Sequence, residues 1–401
     1  MPRKLKAREK RQRQITGKFL KTFLPLCLIA YFLQSLPFLV NTSAQFLENK
    51  LLPLLPAPIY NKYFSSQRPL LFALNECNDL STTNKTFLIT GGNSGLGFET
   101  AKQLAKAGAK TVILGCRDTI KCLEARLLID IARKTECNND GPSNVVVLES
   151  SPLDLDDINA INTFGKTIKS YLKTHASGNL DVLINNAGIM GSTTLTFNQH
   201  TGGEKQLHTN HLSHYVLTNL LLEELRAGGG GRVVNHSSLM GFMPFFWNSK
   251  DFNFQSRFFH SLIAYGQSKR ANLHFTHKLH SAWFEKYNIS VVAAHPGYSR
   301  TNLMTNNWQF APAALRLFVS TNKLMSMSSE VGAASQIRAA VDETVASDSF
   351  VGPLLATLGP AVVLGKSYKN IFNYFWPVGF SETEGDRLMD YSAQRTGITF
   401  S

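Results

Sequence analysis

From Thr86 onward the chain repeats one pattern: a short apolar run, a turn, then an amphipathic stretch of helical spacing. The runs are Thr86–Thr90, Thr111–Gly115, Asn144–Leu148, Leu180–Asn185, Gly231–Asn235 and Ile289–Ala294. Each is apolar at consecutive rather than alternate positions, as strands covered on both faces are, and strands separated by helices pair in parallel. The pattern predicts an α/β fold, a doubly wound parallel sheet within a single catalytic domain over residues 84–401. No internal repeat or low-complexity tract interrupts it.

Upstream the pattern changes. No charged residue occurs from Thr22 to Leu47, and Phe23–Val40 is mostly Leu, Phe, Ile and Ala. About 20 such residues span a bilayer as a helix, with Pro25 and Pro37 bracketing the segment. We expect a basic tail and an N-terminal membrane helix, a transmembrane anchor, over 1–48, and an irregular linker over 49–83. Two alternatives stay open: a signal peptide cut after Thr42-Ser-Ala44, or a helix lying in the interface. The basic flank predicts a cytoplasmic N-terminus and a lumenal domain, although the Leu/Pro stretch from Leu51 to Ala57 could keep the chain at one surface. The expected location is a single-pass protein of the endoplasmic reticulum or another endomembrane.

Charge fits this reading. Of a net +13 over 401 residues, nine Lys or Arg residues against Glu9 put +8 into the first 21 positions. A basic tail beside a membrane explains that distribution, and no nucleic-acid partner is expected. With 43% hydrophobic residues the chain can bury a full core. The five cysteines form no Cys-x-x-Cys pair, so reduced thiols are expected; a disulfide at Cys77 or Cys137 would require an oxidising lumen. His208, His211 and His214, and again His274, His277 and His280, share helical spacing without a further ligand class, and no metal is expected.

Candidate chemistry gathers at the strand ends. Thr90-Gly91-Gly-Asn93-Ser94-Gly95-Leu96-Gly97 joins the first strand to a helix; glycines there let the backbone turn and let an anion approach the helix N-terminus. A pyrophosphate fits. Arg117 follows the second strand and suits a 2′-phosphate, so NADP is favoured over NAD, whereas Asp118 beside it argues the other way. Asp154, in Leu153-Asp154-Leu155 closing the third strand, either receives an adenine amino group or caps the next helix. Asn185-Asn186-Ala187-Gly188 ends the fourth strand, where small residues admit a ribose and the asparagines can tie strand ends together. Ser237-Ser238 ends the fifth, and His295-Pro296-Gly297 the sixth. Tyr265 and Lys269, one helical turn apart, place a phenol beside a cation able to favour its phenolate.

Together, Thr90-Gly91-x-x-x-Gly95-x-Gly97, Asn185-Asn186-Ala187-Gly188, Ser238, Tyr265-x-x-x-Lys269 and Pro296-Gly297 resemble the short-chain dehydrogenase/reductase family, in its order and over roughly residues 84–400. Cys116-Arg117, Asn210-His-Leu-Ser-His214 and His295-Pro-Gly-Tyr-Ser299 look most like its retinol dehydrogenase and protochlorophyllide reductase-like branch. The resemblance implies a Rossmann-type sheet and a catalytic tetrad of Asn210, Ser238, Tyr265 and Lys269. It also implies NADP (NADPH) contacts at Gly91, Asn93, Ser94, Gly95, Leu96, Gly97, Arg117, Asp154, Leu155, Asn186, Ala187, Gly188, Tyr265, Lys269 and Pro296, Gly297 and Thr301. Residues 304–327 match nothing specific.

The implied reaction is hydride transfer between a nicotinamide and a carbonyl or alcohol carbon. Ser238 would hold the substrate oxygen, Tyr265 exchange its proton, Lys269 lower the tyrosine's pKa, and Asn210 anchor a water leading from Lys269 to solvent. Trp308, Phe310, Leu315, Leu317 and Phe318 as lid candidates, with the apolar tract Phe350–Phe380, suggest an apolar retinoid, steroid or lipid-like substrate. The rival reading is a membrane-tethered NADP-binding module without turnover. A homodimer is a possible assembly.

Overall fold

The computed structural model describes residues 77, 82–139, 141–191, 194–242, 247–297, 299, 327–353, 361–367 and 380–400. The basic tail, the uncharged run, most of the linker and the five lid candidates lie outside these. No helix among the described residues is long and apolar enough to cross a membrane.

The elements run β1 (Thr86–Thr90), α1 (Gly95–Lys106), β2 (Thr111–Gly115), α2 (Thr119–Cys137), β3 (Val145–Val147), α3 (Ile158–His175), β4 (Val182–Asn185) and α4 (Lys205–Leu207). A π turn (His208–Leu212) comes next, then α5 (Ser213–Leu220), α6 (Leu222–Ala227), β5 (Arg232–His236), α7 (Ser261–Tyr287), β6 (Ser290–Ala294), α8 (Ser329–Val341), β7 (Ser349–Pro353), β8 (Ala361–Lys366) and α9 (Glu382–Thr396). The strands form one sheet in the order β3-β2-β1-β4-β5-β6-β7-β8. All pairs are parallel except β7 with β8.

Alternate strand residues face opposite ways. Phe87, Ile89, Val112, Leu114, Ile184 and Val234 pack against α1, α2 and α8, and Leu88, Ile113, Leu183, Val233 and Val291 against α3, α5 and α7. Both faces are dry, which explains the unbroken apolar runs. Strand order reverses between β1 and β4, the position outside the carboxyl ends of the strands where open α/β sheets form their ligand crevice.

Two expectations fail. Part of the apolar tract from Phe350 is sheet, not substrate lining: Phe350, Val351, Val362 and Leu364 are buried in β7 and β8. The four cysteines among the described residues are not reduced: Cys77 bonds to Cys137 and Cys116 to Cys122. The second pair forms because Asp118 caps α2 immediately after β2, which brings the strand end and the first helical turn to 6.1 Å between Cα atoms. Sequence spacing alone does not reveal that turn.

Candidate active site

Every strand end named from the sequence reaches the same edge of the sheet. At β1 the chain turns through Gly91 at φ +68°, whose N–H bonds to the Gly115 carbonyl at 2.7 Å. Gly95, also at positive φ, opens α1. A Cβ on Gly97 would lie 2.3 Å from the Gly91 oxygen and 2.6 Å from Asn186 Nδ2, so only glycine permits this packing. Ser94, the N-cap residue, makes no side-chain cap bond, and Asn93 and Leu96 complete the turn at the helix start. The first N–H groups of α1 thus face the crevice, as an anion site requires.

Thr90 fastens this turn to the end of β4. Its hydroxyl oxygen accepts the N–H of Asn186 at 3.0 Å and that of Ala187 at 2.9 Å, and Asn186 Nδ2 donates to the Thr90 carbonyl at 2.8 Å. Asn185 donates to Thr218 and to Asn235 of β5, both at 2.9 Å. The asparagines therefore do join the strand ends. Gly188 leaves room for the side chains of Asn210 and Lys269, since a Cβ there would sit 3.1 Å from Asn210 Oδ1 and 3.4 Å from Lys269 Nζ.

Beyond β2, Asp118 caps α2 through the Lys121 N–H at 3.2 Å and pairs with the Lys121 ammonium at 3.3 Å, while Arg117 is exposed. Asp154 and Leu155 lie in the loop after β3 rather than at its end. Asp154 accepts the Asp156 N–H, and the next helix is capped by Asp157, not by Asp154. Gly297 has φ +69° and bonds to His295 Nδ1 at 3.1 Å, with Pro296 beside it. Thr301 lies outside the described residues.

The proton-handling groups come from three elements. Asn210 sits in the π turn, a helical irregularity common at functional sites. Its side chain is bonded to both polar atoms of the Ile189 backbone, at 2.7 and 2.9 Å, and to Ser268 at 2.8 Å. Ser238 follows β5. Tyr265 and Lys269 project from α7, with Lys269 Nζ 5.6 Å from the Tyr265 ring centre and 3.1 Å from the His236 carbonyl. Burial pushes the Tyr265 phenol up to about 12, and a hydrogen bond with Ser238 opposes it. Burial likewise pulls the Lys269 ammonium down to about 7. Burial outweighs the Ser238 bond, so the resting phenol keeps its proton at neutral pH. Thr90, already named in the glycine turn, supports this set, and so do Ser268 and Asn272, whose roles the sequence did not suggest. Asn272 shares a helical face with Tyr265 and Lys269 at spacings of seven and three, and that spacing was the available signal.

The histidines at helical spacing disperse. His208 meets Thr201, His211 meets Ser392 and His214 meets Thr90, each at 2.9 Å. His277 pairs with Asp348 and Glu382.

The chain is similar to several known proteins. Human retinol dehydrogenase 13 is 37% identical over 222 residues, 55% of this chain and 60% of that protein. Mouse retinol dehydrogenase 12 is 34% identical over 266 residues, 63% of this chain and 72% of that protein. The chain thus spans about six tenths of the length of the first of these relatives. Among solved structures, an uncharacterised protein of Mycobacterium paratuberculosis is 31% identical at a TM-score of 0.57, over 82% of this chain and 99% of its own. Levodione reductase shares the fold, at a TM-score of 0.50 and 22% identity over 65% of this chain and 92% of its own. A profile described as short chain dehydrogenase matches residues 85–311, more than half the chain, and with the site's geometry it shows that this protein belongs to the short-chain dehydrogenase family.

Proposed function

We propose that the protein is an NADP(H)-dependent oxidoreductase that interconverts a carbonyl and an alcohol on an apolar substrate of retinoid, steroid or other lipid-like type. The observation that carries this reading is the meeting of a buried phenol, a buried ammonium and a serine hydroxyl at the sheet edge that also bears the glycine turn. The residues fit the implied cofactor: a tight glycine turn that only Gly97 allows to close against Gly91 and Asn186, a helix N-terminus without a side-chain cap, and a glycine at 188 where no side chain comes between the backbone and Asn210 and Lys269. The nicotinamide, when bound, supplies or accepts the hydride.

Each side chain then has a task. Ser238 holds the substrate oxygen. Tyr265, protonated at rest, donates to that oxygen in reduction and receives the proton in oxidation. Lys269, titrating near neutrality, passes protons and meets the ribose hydroxyls; Asn210 fixes the loop after β4. Arg117 receives a 2′-phosphate, and the commitment of Asp118 to capping α2 removes the carboxylate that would favour NAD. Retinol dehydrogenases among the relatives and the uncharged run near the N-terminus support an apolar substrate and a membrane location by a single-pass anchor, with residues 84–401 as the catalytic domain. Dimerisation is compatible with this arrangement.

The test is Tyr265→Phe in detergent-held full chain, assayed on a panel of retinoid, steroid and lipid carbonyls with NADPH and NADH. Turnover should fall about 10²–10⁴-fold, the scale of a lost general acid, with NADPH affinity nearly intact. Near wild-type turnover would remove Tyr265 from its role, and reduction of small water-soluble carbonyls alone would remove the apolar substrate.

A further inference from the structure

The carbonyl oxygen of Asn210 receives two donors. His214 Nδ1 and Asn272 Nδ2 each reach it at 3.2 Å. The His214 tautomer is set by its neighbours: Nδ1 faces a carbonyl and donates, so Nε2 accepts the Thr90 hydroxyl at 2.9 Å. Thr90 is the residue that fastens the glycine turn to Asn186 and Ala187. On the other side, Asn272 Nδ2 also donates to the His236 carbonyl at 3.0 Å, the oxygen that seats Lys269 Nζ. Asn272 is 3% exposed and His214 2%, so solvent does not compete for these bonds. One hydrogen-bonded chain therefore runs from the end of β1, through His214, Asn210, Asn272 and His236, to Lys269.

We propose that Asn272 is a positioning residue for Lys269. By sharing the His236 carbonyl it limits how strongly that oxygen holds the ammonium. Lys269 is thereby seated against that carbonyl on this side. The groups facing Lys269 are Tyr265 on α7, His214 on α5 and His236 on β5, with His295 of β6 acting on His236. No carboxylate among the described residues acts on its titration. The carbonyl it shares with Asn272 is therefore the polar contact that a substitution can change.

The inference rests on the proposed carbonyl–alcohol reaction for its kinetic consequence alone, so the primary readout uses neither substrate nor cofactor. The full chain carrying ¹³Cε-lysine is titrated by NMR in detergent, with the Lys269 signal assigned by its loss in Lys269→Met. In Asn272→Leu, which keeps the volume and removes both donors, the His236 carbonyl turns wholly to Lys269. Its midpoint should rise by about 0.5–1 pH unit, a fraction of what a hydrogen bond to a charged group can move. The pH dependence of kcat should move with it while the KM for NADPH stays within about twofold. Asn272→Val serves if the leucine variant does not fold. A Lys269 midpoint that stays or falls overturns the proposal, as does a pH profile superimposed on wild type with only a lower melting temperature. If the midpoint rises but Tyr265→Phe keeps full turnover, the seating of Lys269 stands and the proposed reaction fails.

Discussion

Acidification should unfold this domain well before its carboxylates are lost. Burial holds the imidazoles of His208 and His214 down to about 4, those of His211, His236 and His295 to about 3, and His274 well below its usual range. All six are buried. In the unfolded chain each titrates near 6.5. Their folded values are depressed, so below pH 6.5 the unfolded state binds more protons and stability falls as pH falls toward the folded values. By pH 5 each of the five sites held at about 3 or 4 costs about 2 kcal/mol. Those five sum to about 10 kcal/mol, as large as the whole stability of an ordinary domain, and His274 acts in the same direction. His277 works the other way: burial lowers it, but bonds and charge from Asp348 and Glu382 outweigh that and raise it, so it offsets a small part. Urea midpoints followed by circular dichroism at pH 7.5, 6.5 and 5.5 should drop steeply, with unfolding in the absence of urea before pH 5. His211→Gln should lessen the slope by about one proton. A midpoint constant from pH 7.5 to 5 would refute the reasoning, since it would mean that these imidazoles are charged or solvated in the folded protein.

Three further outcomes are expected. Gly97→Ala drives a Cβ against the Gly91 carbonyl and the Asn186 amide, an overpacking of about 1–3 kcal/mol. It should weaken NADPH binding at least tenfold by fluorescence titration, whereas Gly178→Ala, at φ +79° with open space around it, should cost about 1 kcal/mol and leave affinity alone. Equal affinities in the two variants would sink this. Arg117→Ala should raise the Kd for NADPH roughly 10–100-fold and leave NADH unchanged, the scale of a charged hydrogen bond; a similar loss for both nucleotides would contradict 2′-phosphate recognition. Cys137→Ser opens a cross-link between residues 60 apart and should destabilise by about 4 kcal/mol on loop entropy, so an unchanged melting temperature would show that the bridge contributes nothing.

What the sequence reveals of this protein depends on the range of the forces involved. β1 and β2 fall on the residues their apolar runs mark, because both faces of those strands are dry and the glycine turns fix their ends. β7 and β8 do not stand out, since a tract rich in Phe, Val and Leu serves equally as strand or as pocket lining, and pairing across the sheet decides between them. The polar set at the strand ends was legible because Asn185, Asn186, Ser238, Tyr265 and Lys269 have little reason to recur in that order as mere turns. Their electrostatics were not: the depth of burial that raises Tyr265 and lowers Lys269 comes from packing remote in sequence. The Cys116–Cys122 disulfide also escaped notice, for it depends on where a strand end meets a helix turn, whereas the sequence leaves a bridge between Cys77 and Cys137 open.

The π turn at His208–Leu212 carries one residue more per winding than the helices on either side. Each residue of an α-helix advances the phase by about 100°, so this irregularity decides which way everything after it faces. Regularising it by a one-residue deletion would swing His214 off Thr90 and carry Asn210 away from the loop after β4. Helical regularity has here been exchanged for alignment: a smoother backbone would leave each group intact and the nucleotide-facing and proton-handling halves out of phase.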